Sequence, residues 1–201
     1  MLHLFDFLFP PRVDEVTLRD VSPDDFLVLV APRLVSYTRP ETVLLLPFHA
    51  VPVRAAIHEA KYHGSEYAFK LLATALAEYL RDVDDIRKPV IVPVPLGPER
   101  RKERGFNQIE KVARRVGEEL DIQVDATLLV RTRETISQVS LPRHERERNM
   151  RGAFRATRPT DPLCTYVVID DVITTGATLG AAINALQEAG AAHIIPLALA
   201  H

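Results

Sequence analysis

Residues 167–179 read VVIDDVITTGATL, an apolar run that changes abruptly into acids, hydroxyls and a glycine. The run at 167–169 is typical of a buried strand, and it stops at two adjacent carboxylates, Asp170 and Asp171. The threonine-rich loop that follows leads into a helical pattern over 176–189. The stretch therefore predicts a strand, a tight loop and a helix in immediate succession.

Apolar runs and helical patterns alternate along most of the chain. Further strands are predicted at 90–96 (VIVPVPL), 128–131, 165–170 (TYVVID) and 192–200 (AHIIPLALA), with helices over 53–81, interrupted at Gly64, and over 107–120. The strands are apolar on both faces, as strands of a covered parallel sheet are. The pattern predicts an α/β fold with ligands at the carboxyl ends of the strands.

Composition narrows the class of protein. The chain has 201 residues and a formal net charge of -2, which gives no general attraction to nucleic acid or to anionic membranes. Cys164 is the one cysteine, so an internal disulfide framework and a cysteine-rich zinc site are excluded. No apolar run approaches the length of a spanning helix. We expect a soluble, cytoplasmic protein without a membrane partner.

The loop after Asp171 has the chemistry of a phosphate cradle, because backbone N–H groups at a helix start and threonine hydroxyls both donate to an anion. The candidate phosphate-binding residues are Thr174, Thr175, Gly176, Ala177 and Thr178. Two carboxylates beside a phosphate would repel it, so we expect Asp170 and Asp171 to accept hydrogen bonds from neighbouring sugar hydroxyls. The ligand predicted is a ribose 5-phosphate. The alternative is that the aspartates cap a turn and the loop is an ordinary one.

Together with other segments, this stretch resembles a known family. VVIDDVITTGATL resembles the phosphoribosyl pyrophosphate (PRPP) signature of type I phosphoribosyltransferases. Five further segments resemble the ComF-like subgroup of that family: AIHEAKYHGSEYA at 56–68, VPVPL at 92–96, RGFNQ at 104–108, residues 128–154 and the C-terminal AGAAHIIPLALA. The resemblance covers about residues 41–201. It implies a parallel-sheet, Rossmann-like type I phosphoribosyltransferase core at 41–201 with an appended N-terminal segment or hood at 1–40.

Residues 1–40 depart from the family pattern. ComF-like proteins usually begin with a four-cysteine zinc ribbon, whereas this segment contains no cysteine and keeps only FPPR at 9–12. We therefore expect a degenerate segment without structural zinc. Its aromatic residues Phe5, Phe9 and Phe26 are candidates for a hood over the acceptor.

The resemblance implies a reaction in which PRPP loses pyrophosphate and the phosphoribosyl group passes to an acceptor. Such a reaction needs the leaving diphosphate neutralised and the sugar held in place more than it needs a nucleophile. The implied catalytic residues are Asp170, Asp171 and Arg104, and the implied pyrophosphate loop contains Pro95, Leu96 and Arg104. The implied cofactor is Mg²⁺, held mainly through the substrate, with Asp170 and Asp171 as possible ligands.

Two basic segments could serve the diphosphate. Residues 97–115 carry seven basic residues against three glutamates in a stretch with a loop-like appearance, and residues 131–158 carry eight arginines against three glutamates. The second segment is long and polar, which favours a flexible lid. Its candidate residues are Thr135, Gln138, Arg143, Arg146 and Asn149. The alternative for this segment is a stable exposed helix.

Two functions of different classes fit these patterns. The first is an enzyme that transfers the phosphoribosyl group to an acceptor that no motif identifies. The second is a non-catalytic PRPP-binding module in competence, DNA uptake or regulation. A direct role with nucleic acid ranks third, because the arginines lack an aromatic stacking platform and the chain has no Trp. A homodimer is also possible.

Overall fold

The computed structural model of the protein describes residues 12–84, 86–132, 150 and 152–201. Its strands are β1 (Arg33–Val35), β2 (Thr42–Leu46), β3 (Pro89–Pro93), β4 (Gln123–Val124), β5 (Leu129–Arg131), β6 (Phe154–Ala156), β7 (Thr165–Val172) and β8 (His193–Ala200). Its helices are α1 (Val13–Arg19), α2 (Pro23–Leu27), α3 (Val51–His58), α4 (Glu66–Asp82), α5 (Pro98–Arg104), α6 (Gln108–Leu120) and α7 (Ala177–Glu188). A π-helical turn, the π-turn (Glu59–His63), joins α3 to α4.

The described strands form a mostly parallel central sheet in the order β1-β2-β8-β7-β3-β4. β7 pairs in parallel with β3 on one side and with β8 on the other, while β1 is antiparallel to β2 at the edge. The predicted α/β fold with a parallel sheet is confirmed. From β3 the chain proceeds through α6 to β4, and from β7 it proceeds through α7 to β8 in the other direction. The carboxyl ends of β3 and β7 therefore meet at a topological switch point.

Alternate side chains of the central strands enter two hydrophobic cores, one on each face of the sheet. Ile91, Val167 and Ile169 pack with residues of α3, α4 and α6 on one face. Val92 and Val168 pack with α7 and with β5 and β6 on the other. Because both faces are covered, the strands are apolar throughout, as their sequences predicted.

Two predicted elements differ from the structure. The strand at 128–131 lies outside the central sheet, because β5 pairs antiparallel with β6 in a separate two-stranded sheet. The loop-like appearance of the basic stretch after β3 was misleading, because residues 98–104 form α5. Pro98 occupies the first turn of this helix and Gly105 ends it in the left-handed conformation, with φ 78°. This helix has no buried residue, so its sequence lacks the apolar periodicity from which a helix is predicted.

Residues 12–40 pack closely on the core. The side chains of Leu18 and Phe26 are 3% and 0% exposed, and both belong to the core on the α4 face of the sheet. The expectation that Phe26 contributes to an acceptor hood is wrong, because its ring is enclosed by that core. β1 adds an edge strand to β2, so residues on both sides of position 40 share one sheet. Phe5 and Phe9 lie outside the described residues.

No helix in the described part of the chain combines the length and the apolar character needed to cross a bilayer.

Candidate functional site

A cleft of about 190 Å³ lies at the switch point between β3 and β7. Two aspartates at the end of β7 form one wall, and the segment from β3 to the start of α6 forms another. The backbone N–H of Val94 donates to the carbonyl of Ile169 at 2.9 Å, which fixes these two walls together. The lining residues are Lys61, Val94, Pro95, Leu96, Arg100, Arg104, Asn107, Gln108, Ile109, Arg131, Asp170, Asp171, Val172 and Thr178.

Asp171 is buried and held by several donors. Its Oδ2 lies 3.0 Å from Nζ of Lys61 and also accepts a hydrogen bond from Nε2 of Gln108. Its Oδ1 accepts from the backbone N–H of Val172 at 2.5 Å. These contacts stabilise the charged carboxylate in a place where little water reaches it.

Asp170 is in a different electrostatic position. Its Oδ1 accepts a hydrogen bond from the backbone N–H of Asp171 at 2.8 Å. Burial and the adjacent charge of Asp171 raise the pKa of Asp170 to about 7, although that hydrogen bond, Lys61 and Arg131 act in the opposite direction. Asp170 is therefore able to take up a proton near neutral pH.

Side chains of the RGFNQ segment shape the opposite wall. Nδ2 of Asn107 donates to the carbonyl of Val94 at 3.0 Å, and Oδ1 of Asn107 caps α6 by accepting from the N–H of Ile109. Nη1 of Arg104 donates to Oε1 of Gln108 at 3.2 Å, and its guanidinium lies 5.2 Å from the ring centre of Tyr62. Arg104 is therefore oriented by an amide and an aromatic ring at the edge of the cleft.

The loop after Asp171 turns sharply at Gly176, where φ is 76°. A Cβ at this position would lie 2.8 Å from the carbonyl oxygen of Tyr37 and 2.9 Å from its Cβ. Gly176 thus allows a close backbone approach, and the backbone that approaches it is that of Tyr37. The segment before β2 thus supports the loop directly.

The predicted site residues are brought together in part. Asp170, Asp171, Pro95, Leu96, Arg104 and Thr178 all line the cleft. Thr175, Gly176 and Ala177 instead line a second cavity of about 330 Å³, shared with Tyr37 and Phe154, while Thr174 is exposed. Among the described residues, the buried Oγ1 of Thr175 has no hydrogen-bond partner. The proposed lid residues Thr135, Gln138, Arg143, Arg146 and Asn149 lie outside the described residues.

The lining residues that were missed as site candidates include Lys61, Gln108 and Arg131. Lys61 lies in the KYHG segment, Gln108 in RGFNQ and Arg131 at the end of β5. All three belong to segments quoted for the family resemblance, which was the available signal. Their proximity to Asp171 could not be inferred from the sequence, because it depends on how distant helices pack on the sheet.

No protein-family model matches the chain. Relatives include DNA utilization protein YhgH of Escherichia coli, 35% identical over 150 residues, which are 73% of this chain and 66% of that protein. Competence protein F of Haemophilus influenzae is 27% identical, over 77% of this chain and 70% of that protein. Competence protein ComFC of Streptococcus pneumoniae is 34% identical, over 65% and 55% respectively. The chain is similar to the ComF-like proteins.

This ComF-like chain covers 66% of the Escherichia coli relative, just under two thirds of its length. It is also similar to two solved structures of adenine phosphoribosyltransferase. The enzyme from Leishmania tarentolae has a TM-score of 0.45 and 15% identity, over 82% of this chain and 79% of the other. The enzyme from Leishmania donovani has a TM-score of 0.39 and 18% identity, over 69% and 54% respectively.

Proposed function

We propose that this ComF-like protein binds PRPP together with Mg²⁺ and transfers the phosphoribosyl group to an acceptor with release of pyrophosphate. The observation that supports this most is the cleft at the switch point, where Asp170 and Asp171 face a wall carrying Arg100 and Arg104. Carboxylates suit sugar hydroxyls, and arginines suit phosphate oxygens. One cleft therefore offers complementary partners to both parts of a phosphorylated ribose.

In this proposal, each group has a distinct task. Asp171, fixed by Gln108 and Val172, accepts a hydrogen bond from a ribose hydroxyl and holds the sugar in place. Arg104 and Arg100 donate to the diphosphate, whose negative charge grows as its bond to C1 breaks. Thr178, in the first turn of α7, donates to the 5-phosphate near the positive end of the helix. Catalysis then rests on positioning and charge neutralisation.

The carboxylates of the cleft fit a magnesium ion that arrives with its substrate. Mg²⁺ prefers oxygen ligands and keeps several waters, so it does not require a complete protein cage. Asp171 already accepts from Gln108 and Val172 and contacts Lys61, which leaves Asp170 as the better candidate ligand. When bound, Mg²⁺ would supply positive charge to the diphosphate.

The proposal is tested first by calorimetry with PRPP. We expect binding in the presence of Mg²⁺, and we expect the double variant Asp170→Asn/Asp171→Asn to weaken it at least tenfold, or about 1.4 kcal/mol. The matched control is Asp82→Asn/Asp84→Asn, which removes two exposed carboxylates at the end of α4 and should leave the affinity unchanged. Equal affinities in the two double variants would contradict the assignment of the cleft.

Turnover is tested separately, by measuring pyrophosphate release from PRPP in the presence of nucleobases and amines. Release with any one acceptor supports the transferase. Binding of PRPP without release with any of them favours the second candidate, a non-catalytic PRPP-binding module. The names of the relatives, which refer to competence and DNA utilization, are the observation that supports this second candidate.

A further inference from the structure

The π-turn brings two side chains to the edge of the cleft. A π-helical turn is wider than an α-helical one, so it changes the direction of the residues that follow, and such turns are frequent at functional sites. Glu59 and Ala60 are each 1% exposed and point into the protein. Lys61 instead lines the cleft, and Tyr62 contacts the guanidinium of Arg104. The turn thus approaches both walls of the cleft.

The π-turn is anchored on both sides of Lys61. The buried carboxylate of Glu59 accepts hydrogen bonds from Nε and Nη2 of Arg12 at 2.8 and 2.7 Å. Gly64 ends the turn with φ 60°, and a Cβ there would lie 3.3 Å from the ring of Phe106. These contacts fix the backbone that carries Lys61, while its side chain retains the flexibility of four methylene groups.

The ion pair between Lys61 and Asp171 can be broken at low cost to Asp171. If Lys61 moves away, the carboxylate still accepts from Gln108 and from the N–H of Val172. An ammonium group has three donors, and a diphosphate carries more negative charge than a carboxylate, so a diphosphate in the cleft competes well for Lys61. The Lys61 side chain is 18% exposed, on a wall of the cavity that such a ligand would enter.

We propose that Lys61 leaves Asp171 when the ligand enters the cleft and binds the diphosphate group of the ligand instead. This assignment rests on the proposed function. In the free protein the ion pair keeps Lys61 at the cleft. In the complex the released Asp171 oxygen accepts a hydrogen bond from a ribose hydroxyl. Separation of the ion pair therefore frees Lys61 for the diphosphate and Asp171 for the ribose. Lys61 is therefore a specificity residue that distinguishes PRPP from ribose 5-phosphate, which has no diphosphate.

The test compares the two ligands in Lys61→Met. We expect the dissociation constant for PRPP to rise at least tenfold while that for ribose 5-phosphate changes less than twofold. Lys61→Arg keeps the charge and should recover part of the loss. Lys70→Met is the matched control, because Lys70 is exposed on α4 and does not line the cleft, and it should bind both ligands normally. Thermal denaturation of each variant checks its folding.

The outcomes separate this inference from the proposed function. If the unaltered protein binds no PRPP, both are overturned. If it binds PRPP but Lys61→Met weakens both ligands equally or neither, the inference fails and the proposed function stands. Should Lys61→Met not fold, amine acetylation of the unaltered protein replaces it: PRPP, but not ribose 5-phosphate, should slow acetylation of Lys61 at least fivefold. Equal rates with both ligands overturn the inference.

Discussion

At the scale of single residues, the two aspartates that end β7 differ because their surroundings differ. Asp171 contacts Lys61 and accepts hydrogen bonds from Gln108 and the N–H of Val172. Asp170 is its neighbour in the chain, and burial together with Asp171 raises the pKa of Asp170 to about 7. A carboxyl group that is partly neutral near pH 7 repels a diphosphate less than a carboxylate does. Under the proposed function, Asp170 therefore adds less than a full negative charge beside the diphosphate.

This difference predicts how stability depends on pH in magnesium-free buffer. Because the folded state holds the Asp170 proton more tightly than the unfolded state, the free energy of unfolding falls as pH rises from the ordinary carboxyl pKa of 3.8 to about 7. Asp170→Asn removes this loss. The free energies of unfolding of the variant and of the unaltered protein are compared by urea denaturation. From pH 4 to pH 8, their difference should change by up to about 4 kcal/mol in favour of the variant.

The control for this prediction is Asp82→Asn, an exposed carboxyl at the end of α4. Its pH profile should follow that of the unaltered protein. Parallel profiles for Asp170→Asn and the unaltered protein would show that Asp170 titrates normally in the folded state.

At the scale of elements, the sequence predicts what is buried and periodic. β7 and β8 are long apolar runs, and α6 and α7 have apolar positions at helical spacing, so all of these were predicted. α5 has no buried residue and was missed, as were the short helices α1 and α2. The aspartates and Arg104 were found through motifs, whereas Lys61 joins them through tertiary packing of the π-turn.

The loop that joins β7 to α7 has a second packing partner in the segment before β2. Gly176 and Gly105 have nearly equal φ values, 76° and 78°, so an alanine at either position is strained by about 1–2 kcal/mol. A Cβ at Gly176 also meets the carbonyl of Tyr37 at 2.8 Å, whereas a Cβ at Gly105 meets nothing within 4 Å. We expect Gly176→Ala to lower the free energy of unfolding by about 1–3 kcal/mol more than Gly105→Ala does, as measured by urea denaturation. Equal losses would show that the loop and Tyr37 separate without cost.

At the scale of the whole molecule, the contacts of residues 12–40 bear on the predicted division of the chain at position 40. α1 and α2 place Leu18 and Phe26 in the core that covers one face of the sheet, and β1 extends the sheet at its edge. Tyr37 then reaches the loop at Gly176. An appended segment with these contacts contributes to the stability of the sheet and of the loop beside the cleft.

Phe26 provides the test of that contribution, because its side chain is 0% exposed while that of Val28, just beyond the end of the same short helix, is 83% exposed. Phe26→Ala leaves a cavity in the shared core and should cost about 3–5 kcal/mol, with one cooperative transition at a lower temperature in calorimetry. Val28→Ala, the surface control, should stay within about 0.5 kcal/mol of the unaltered protein. If residues 1–40 instead fold separately from 41–201, Phe26→Ala will leave the main transition where it is and shift only a minor one. A single shifted transition would mean that the chain unfolds as one cooperative unit, and that position 40 marks only a difference in composition. The reason is that the loss of one ring before position 40 would then lower the stability of the sheet that carries Asp170 and Asp171.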